Sequence, residues 1–272
     1  MSKTHYDRIT DAWQLLLGED FHYGLFRDER MDLRSATAAL TSLVFDAARF
    51  HPGQRVLDVG CGIGAPACKL ASLIDVQVVG ISTSPKGVDQ ANRRATQAGL
   101  HHRVRFECRD GMENGLPDGS FDRLFALESS HLMRRRDALL RECARVLRPG
   151  GRLAMCDIVL KRELPFAEVR RLRESFSLLR DVFGDAHMLP LADYRQLALA
   201  HGLIVDIEMD LTADTRPTFS RWLENATIHR EEASKLLGDA GWSAFVDGCG
   251  VLEGFWDDGT LGYGLLAAAK PG

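Results

Sequence analysis

Residues 56–66 read VLDVGCGIGAP: aliphatic residues, an aspartate, then glycines at 60, 62 and 64. A run this apolar and β-branched, and this short, reads as a buried strand over 55–60. Ala65 to Ile74 reads as a helix, with Pro66 in its first turn, where proline is tolerated. Glycines between a strand and a helix let the chain turn tightly and bring backbone amides close to a ligand. Such a loop suits a dinucleotide, a phosphate, a nucleoside or no ligand at all, so the residues around it must decide.

The alternation continues. VQVVGIS (76–82) reads as a second strand. Ser84 is placed as an N-cap with Pro85 at the first helical position, and that helix runs to about Gly99. VRFEC (104–108) and FDRLFALES (121–129) are the third and fourth strands, RDALLRECARVL (136–147) a helix stopped by Pro149-Gly150-Gly151, and RLAMCDIVL (152–160) a fifth strand. Beyond it come a charged helical stretch over 161–190, a helix over 190–201, a strand over 204–211, a helix over 217–238 and a last strand over 263–269. Strands alternating with helices imply βαβ units and a parallel sheet. With right-handed crossovers this is an α/β fold, a three-layer doubly wound sandwich with a mostly parallel seven-stranded sheet and a helical cap. One domain over 1–272 is expected. It comprises an N-terminal helical cap (1–50), a cofactor-binding core (51–160), a cap insertion (161–190) and the C-terminal half of the sheet (191–272). The caps belong over the carboxyl end of the sheet, where ligands bind in such folds.

Net charge near -4 and a pI near 6.1 leave no electrostatic footprint for nucleic acid. The one dense basic run, Arg134-Arg135-Arg136, reads as the solvated start of a helix. No apolar run is long enough to cross a bilayer, and the N-terminal residues lack a signal-peptide core, so a cytoplasmic protein without a membrane partner is expected. A homo-oligomer is compatible with this composition. Six scattered cysteines (Cys61, Cys68, Cys108, Cys143, Cys156, Cys249) form no CxxC pair and read as buried reduced thiols. Nine histidines show no HxxxH or HExxH spacing, so no metal is expected.

GCGIGA nearly satisfies the dinucleotide-binding pattern. A dinucleotide site wants an acid at the end of the second strand, however, and this strand ends Gly80-Ile81-Ser82. There is no GKS or GKT phosphate loop either. After the third strand, Asp110-Gly111-Met112 could meet a purine edge, and the fourth strand ends in Glu128. These pieces suit a nucleoside with a charged tail better than a pyrophosphate.

Three ordered stretches, VLDVGCGIG, RDGMENGLPDGSFDRLFALES and LRECARVLRPGGRL, resemble the class I S-adenosylmethionine-dependent methyltransferases. HYGLF (22–26), GISTS (80–84), ALESSHLM (126–133) and DLTADTRPTF (210–219) are similar to the branch acting on small molecules and natural products, which includes the rebeccamycin sugar O-methyltransferase and the tocopherol and prenyl-diphosphate C-methyltransferases. The resemblance implies S-adenosylmethionine as cofactor and a small-molecule substrate. It implies that Gly60, Cys61 and Gly62 pass beneath the methionine part and that Asp58 orients the loop. Ile81 and Ser82 would lie by the ribose, Asp110, Gly111 and Met112 by the adenine, and Leu127 and Glu128 where the methyl group faces substrate. Tyr6, His22 and Tyr23 would close over the cofactor. Two departures stand out: Gly87 where many relatives carry glutamine, and His131-Leu132 where some carry paired histidines.

A hydroxyl acceptor must lose a proton, and His131 is the candidate base because histidine titrates near working pH. A structural histidine is the alternative. Asp157, near the end of the fifth strand, could orient that histidine, bind a substrate hydroxyl or cap a loop. Glu128 could be a base, a partner for developing positive charge, which suits C-methylation of an alkene or enol, or a group that only supports the residues touching the substrate. Tyr23 and Phe26 could wall the sulfonium or pack as core, and Arg216 could reach an anion or end a loop. O-methylation of a specialised small molecule is the first reading, C-methylation the second, and a cyclase or binding protein on the same fold the third.

Overall fold

The computed structural model describes residues 11–28 and 30–272. Tyr6 lies outside the described residues. Seven strands form one sheet: β1 (Arg55–Val59), β2 (Gln77–Ser82), β3 (Val104–Cys108), β4 (Phe121–Leu127), β5 (Leu147–Leu160), β6 (Ile204–Asp210) and β7 (Leu261–Ala269), in the order β3-β2-β1-β4-β5-β7-β6. The pairs β1–β2, β1–β4, β2–β3 and β4–β5 are parallel. β7 runs against β5, because Gly150 and Gly151 bond to Lys270 at one end and Lys161 to Thr260 at the other. The sheet is mixed and mostly parallel, with helices between its strands, as the alternation implies.

Burial explains the strand composition. In β1 four consecutive residues after Arg55 are buried, and in β2 four after Gln77, the signature of strands covered on both faces. Ser84 caps its helix (Pro85–Gln97) by accepting a hydrogen bond from the Gly87 N–H at 3.1 Å. Other boundaries differ from expectation. β5 begins at Leu147 and continues through Pro149-Gly150-Gly151 instead of starting after them. The pairing with β4 shifts there, from Phe121↔Leu147 to Arg123↔Arg152, so the proline and glycines are absorbed as a bulge rather than a stop. The helix expected over 217–238 is two helices, Thr218–Ile228 and Arg230–Asp257. The second is interrupted at Gly238 (φ 76°) and then resumes to Asp257, well beyond the expected end. Phe245, Cys249, Leu252, Phe255 and Trp256 bury one face of the resumed segment. Cys108 is exposed, unlike the other five cysteines, and all six are free thiols.

The chain divides into two compact units. Of the described residues, one comprises those of 11–40, 158–190 and 210–263, and the other 41–157, 191–209 and 264–272. The first has an aromatic core: the Tyr23 ring stacks on Trp256 (5.4 Å) and meets Trp222 edge-on at 4.9 Å, with Phe219 and Tyr263 beside it. The second contains β1 to β4 whole and most of β5. No helix among the described residues is long and apolar enough to cross a membrane.

In the second unit Arg152 is 3% exposed, with its Nε donating to the Ala47 carbonyl at 2.5 Å and its two terminal nitrogens to the Asp206 carboxylate at 2.9 and 2.7 Å. Breaking a buried pair costs about 3–5 kcal/mol, and because Asp206 is partly hydrated, Arg152→Met should cost about 2 kcal/mol in a urea titration. A change below about 0.5 kcal/mol, the size of an ordinary surface substitution, would show that the pair is structurally idle.

Candidate active site

The loop after β1 is shaped by its neighbours in the second unit. Gly60 has φ 83°, and a Cβ there would stand 2.1 Å from the Ser129 Cβ. Gly64 has φ 78°, and its Cβ would stand 2.5 Å from the Phe106 ring. These two glycines are therefore required by packing as well as by backbone conformation. The N–H groups of Gly60 and Cys61 both donate to the Ile81 carbonyl, at 2.8 and 3.0 Å. Ile81 itself is fully buried, and Cys61 is buried with its thiol pushed well above the usual range by burial. Gly60 and Gly62, together with Ser82, Asp110, Met112, Leu127 and Glu128, remain half-buried at the carboxyl ends of β1 to β4.

Asp58 carries the main electrostatic signal. It is 2% exposed, and its Oδ2 has no hydrogen-bond partner among the described residues. Burial pushes its carboxyl up to about 8. A ligand tail with a positive charge or N–H donors would satisfy this oxygen, which an anionic pyrophosphate, carrying only acceptors, would not. The residues present thus fit S-adenosylmethionine. Ser82 accepts a bond from the Ser84 N–H at 3.2 Å, so β2 ends in a hydroxyl with no acid. Asp110 Oδ1 accepts from the Met112 N–H at 2.8 Å, which folds the Asp110-Gly111-Met112 turn. Gly111 is buried against Val59 and Met133. Gly87 lies against the loop, where a Cβ would stand 3.1 Å from the Gly62 carbonyl oxygen.

Beyond β4 the chain bends sharply. Glu128 has φ 48°, a left-handed conformation rare for a residue with a side chain. Its N–H donates to the Cys156 carbonyl at 2.9 Å, and Ser129 Oγ donates to the Val59 carbonyl at 2.6 Å. The bend delivers His131 to Asp157 on β5, with Nδ1 to Oδ1 at 2.6 Å and the His131 backbone N–H to Oδ2 at 3.0 Å. Ser130 Oγ donates to the same Oδ2 and lies 2.8 Å from Tyr194 Oη. Burial raises the Asp157 carboxyl, but the His131 charge and the converging hydrogen bonds outweigh it and hold the carboxyl below the usual range. Because a carboxylate only accepts, Nδ1 carries the proton and Nε2 is the basic nitrogen of the neutral ring.

The structure thus joins His131 to Asp157 and gathers the loop residues Asp58 to Gly62 with Ser82, Asp110 to Met112, Leu127 and Glu128 at one edge of the sheet. His22 and Tyr23 lie in the other unit. Both are 2% exposed, and His22 Nδ1 donates to the Tyr23 carbonyl at 2.9 Å. Phe26 is buried in that unit too, and Arg216 is held by Asp257 at 2.6 and 2.8 Å, ending its loop. Arg136 corrects the reading of the basic run as solvated: it is 4% exposed, with its guanidinium 5.8 Å from the Tyr194 ring centroid. Sequence reasoning missed Ser130 and Tyr194. The doubled serine before His131 was a usable hint, whereas a tyrosine in LADYRQLALA looks like ordinary helix core. Among the described residues no group of three or more His, Cys, Asp or Glu could hold a metal ion.

The model of the family described as mycolic acid cyclopropane synthetase matches residues 1–252. The 27-O-demethylrifamycin SV methyltransferase of Amycolatopsis mediterranei is 38% identical over 271 residues, covering 98% of this chain and 95% of the relative. Methyltransferase GfsG of Streptomyces halstedii is 33% identical, covering 98% of this chain and 93% of the relative. Among solved structures, the (4+2)-cyclase SpnF matches with a TM-score of 0.84 and 30% identity, over 99% of this chain and 95% of that one. The cyclopropane synthase MmaA2 of Mycobacterium tuberculosis matches with a TM-score of 0.89 at 18% identity, over 98% and 96% of the two chains, a likeness of fold alone.

Asp58 gives a pH test. An ordinary carboxyl titrates near 4 in the unfolded chain, so between about pH 4 and 8 the folded chain holds a proton that the unfolded chain has lost. Its acid form is favoured by folding, and rising pH erodes stability through that window. In the absence of ligand, the gain in melting temperature of Asp58→Asn over the parent should widen from about pH 5 to about pH 8. A constant offset would show that Asp58 is hydrated in the fold.

Proposed function

The chain belongs to the mycolic acid cyclopropane synthetase family and is an S-adenosylmethionine-dependent methyltransferase, and from that premise we propose that it methylates a hydroxyl group of a specialised small molecule, a natural product, with His131 as general base. The observation that carries the hydroxyl reading is the His131–Asp157 pair, which leaves Nε2 as a base of fixed tautomer. The relative whose name specifies an O-demethyl substrate supports the same reading.

When bound, the cofactor supplies an electrophilic methyl group on a good leaving group. What the chain adds is placement and removal of one proton. Asp58 with Gly60, Cys61 and Gly62 would hold the charged tail, Ser82 beside Ile81 the ribose, and Asp110, Gly111 and Met112 the adenine. Leu127 and Glu128 would face the acceptor side. His131 Nε2 takes the hydroxyl proton, and Asp157 stabilises the resulting imidazolium. No metal is needed for this scheme.

Incubation with S-adenosylmethionine and 27-O-demethylrifamycin SV, the compound that the 38% identical relative is named for, should release S-adenosylhomocysteine, with or without EDTA. His131→Ala should lower turnover about a hundred- to ten-thousand-fold with cofactor affinity nearly unchanged, measured by calorimetry. Near-full turnover of that variant across pH 6–9 would move the chemistry to C-methylation, with Glu128 as the responding group. Product formation without S-adenosylhomocysteine would instead favour a cyclase, as in the 30% identical SpnF.

A further inference from the structure

Two buried hydroxyls stand behind Asp157. Ser130 is 1% exposed and Tyr194 3%. Ser130 Oγ reaches both Asp157 Oδ2 and, at 2.8 Å, Tyr194 Oη. The carboxylate can only accept, so the single Ser130 proton goes to Asp157, and Tyr194 must then donate to Ser130. Burial pushes the Tyr194 hydroxyl up to about 12, so it keeps the proton it donates. The Arg136 guanidinium lies 5.8 Å from the Tyr194 ring centroid. Oδ2 therefore receives two donors, the Ser130 hydroxyl and the His131 N–H at 3.0 Å, while Oδ1 receives Nδ1 at 2.6 Å. The carboxylate cannot turn about its Cβ–Cγ bond without losing all three.

We propose that Ser130 and Tyr194 are positioning residues for the methyl transfer: their relay pins the Asp157 carboxylate so that His131 keeps its proton on Nδ1 and presents Nε2 to the acceptor. This rests on the reading of His131 as base. Both residues act through Asp157, and the direction of the relay, Tyr194 to Ser130 to Asp157, follows from proton count alone. Tyr194→Phe removes the hydroxyl, which Arg136 also hydrogen-bonds, and leaves the ring that the guanidinium faces, so Ser130→Ala is its control.

The test is ¹⁵N NMR of histidine-labelled protein at a pH where the imidazole is neutral, assigned by comparison with His131→Ala. Wild type should show a protonated Nδ1 and a bare Nε2. In Ser130→Ala and Tyr194→Phe the two nitrogen shifts should move toward each other as the second tautomer becomes populated, with Ser130→Thr restoring the wild-type pattern. The value of kcat should fall about ten- to a hundredfold, by analogy with the loss when outer partners of a metal-bound imidazole are removed, with the cofactor KM unchanged. Unmoved shifts in both variants would overturn the proposal, whatever happens to melting temperature. Moved shifts with unchanged kcat would sustain the relay and instead overturn the role of His131 as base.

Discussion

At the carboxyl ends of β1 and β4 the backbone at Gly60 comes so close to Ser129 that no side chain fits between them. That contact sets the geometry of the second unit's site. Ser129 can donate to the Val59 carbonyl only because nothing grows from Gly60. For the contact to form, Glu128 must take a left-handed backbone, which costs about 1–2 kcal/mol for a residue with a Cβ. The Glu128 and Ser129 hydrogen bonds to β5 and β1 offset that cost. Once the bend is fixed, Ser130 and His131 have one direction to go, toward Asp157 on the neighbouring strand β5. The glycine loop and the candidate base are thus two consequences of one close approach.

Two buried carboxylates in the same unit illustrate opposite uses of burial. Asp157 is 4% exposed and receives hydrogen bonds on both oxygens, so it stays ionised despite desolvation. Asp58, at 2% exposure, has an oxygen without a partner and is driven toward the neutral form. A satisfied carboxylate serves as a fixed negative point that can orient an imidazole. An unsatisfied one is a vacancy for a donor, which a protein interior tolerates only where something else completes it. Under the proposed function the two serve opposite ends of the site, Asp58 the ligand tail and Asp157 the proton.

Much of this was legible in the chain. The strands β1 to β4 are runs of Val, Leu, Ile and Phe with punctuation at each end, and periodicity found them to within a residue or two. The Ser84 cap and the missing acid at Ser82 also follow from residue identity alone. Reading failed where tertiary contacts override local preference. Pro149-Gly150-Gly151 has the composition of a stop, yet pairing to Lys270 draws it into β5 as a bulge. Arg136 looks solvated in a run of three arginines, but Tyr194, 58 residues later, lies against its guanidinium. Tyr194 itself could not have been selected, since its significance depends on a hydroxyl meeting Ser130 from a distant helix. Long-range partners of this kind leave no periodic trace.

The fold alone does not decide the reaction. A methyltransferase at 38% identity and a cyclase at 30% both align over nearly the whole chain. What must differ between such proteins is a handful of side chains and the protons they carry. A cyclisation of carbon with carbon need not remove a proton from a heteroatom, so it gives no reason to maintain a base of defined tautomer. Here three side chains, Tyr194, Ser130 and Asp157, form a chain that ends on one imidazole nitrogen, and all three are at most 4% exposed. Ordering that many polar groups away from water is costly unless each is satisfied, and each donor in the relay has one acceptor. A buried polar chain that ends on Nδ1 leaves the Nε2 lone pair outside the relay, and under the proposed function that lone pair takes the proton of the acceptor hydroxyl.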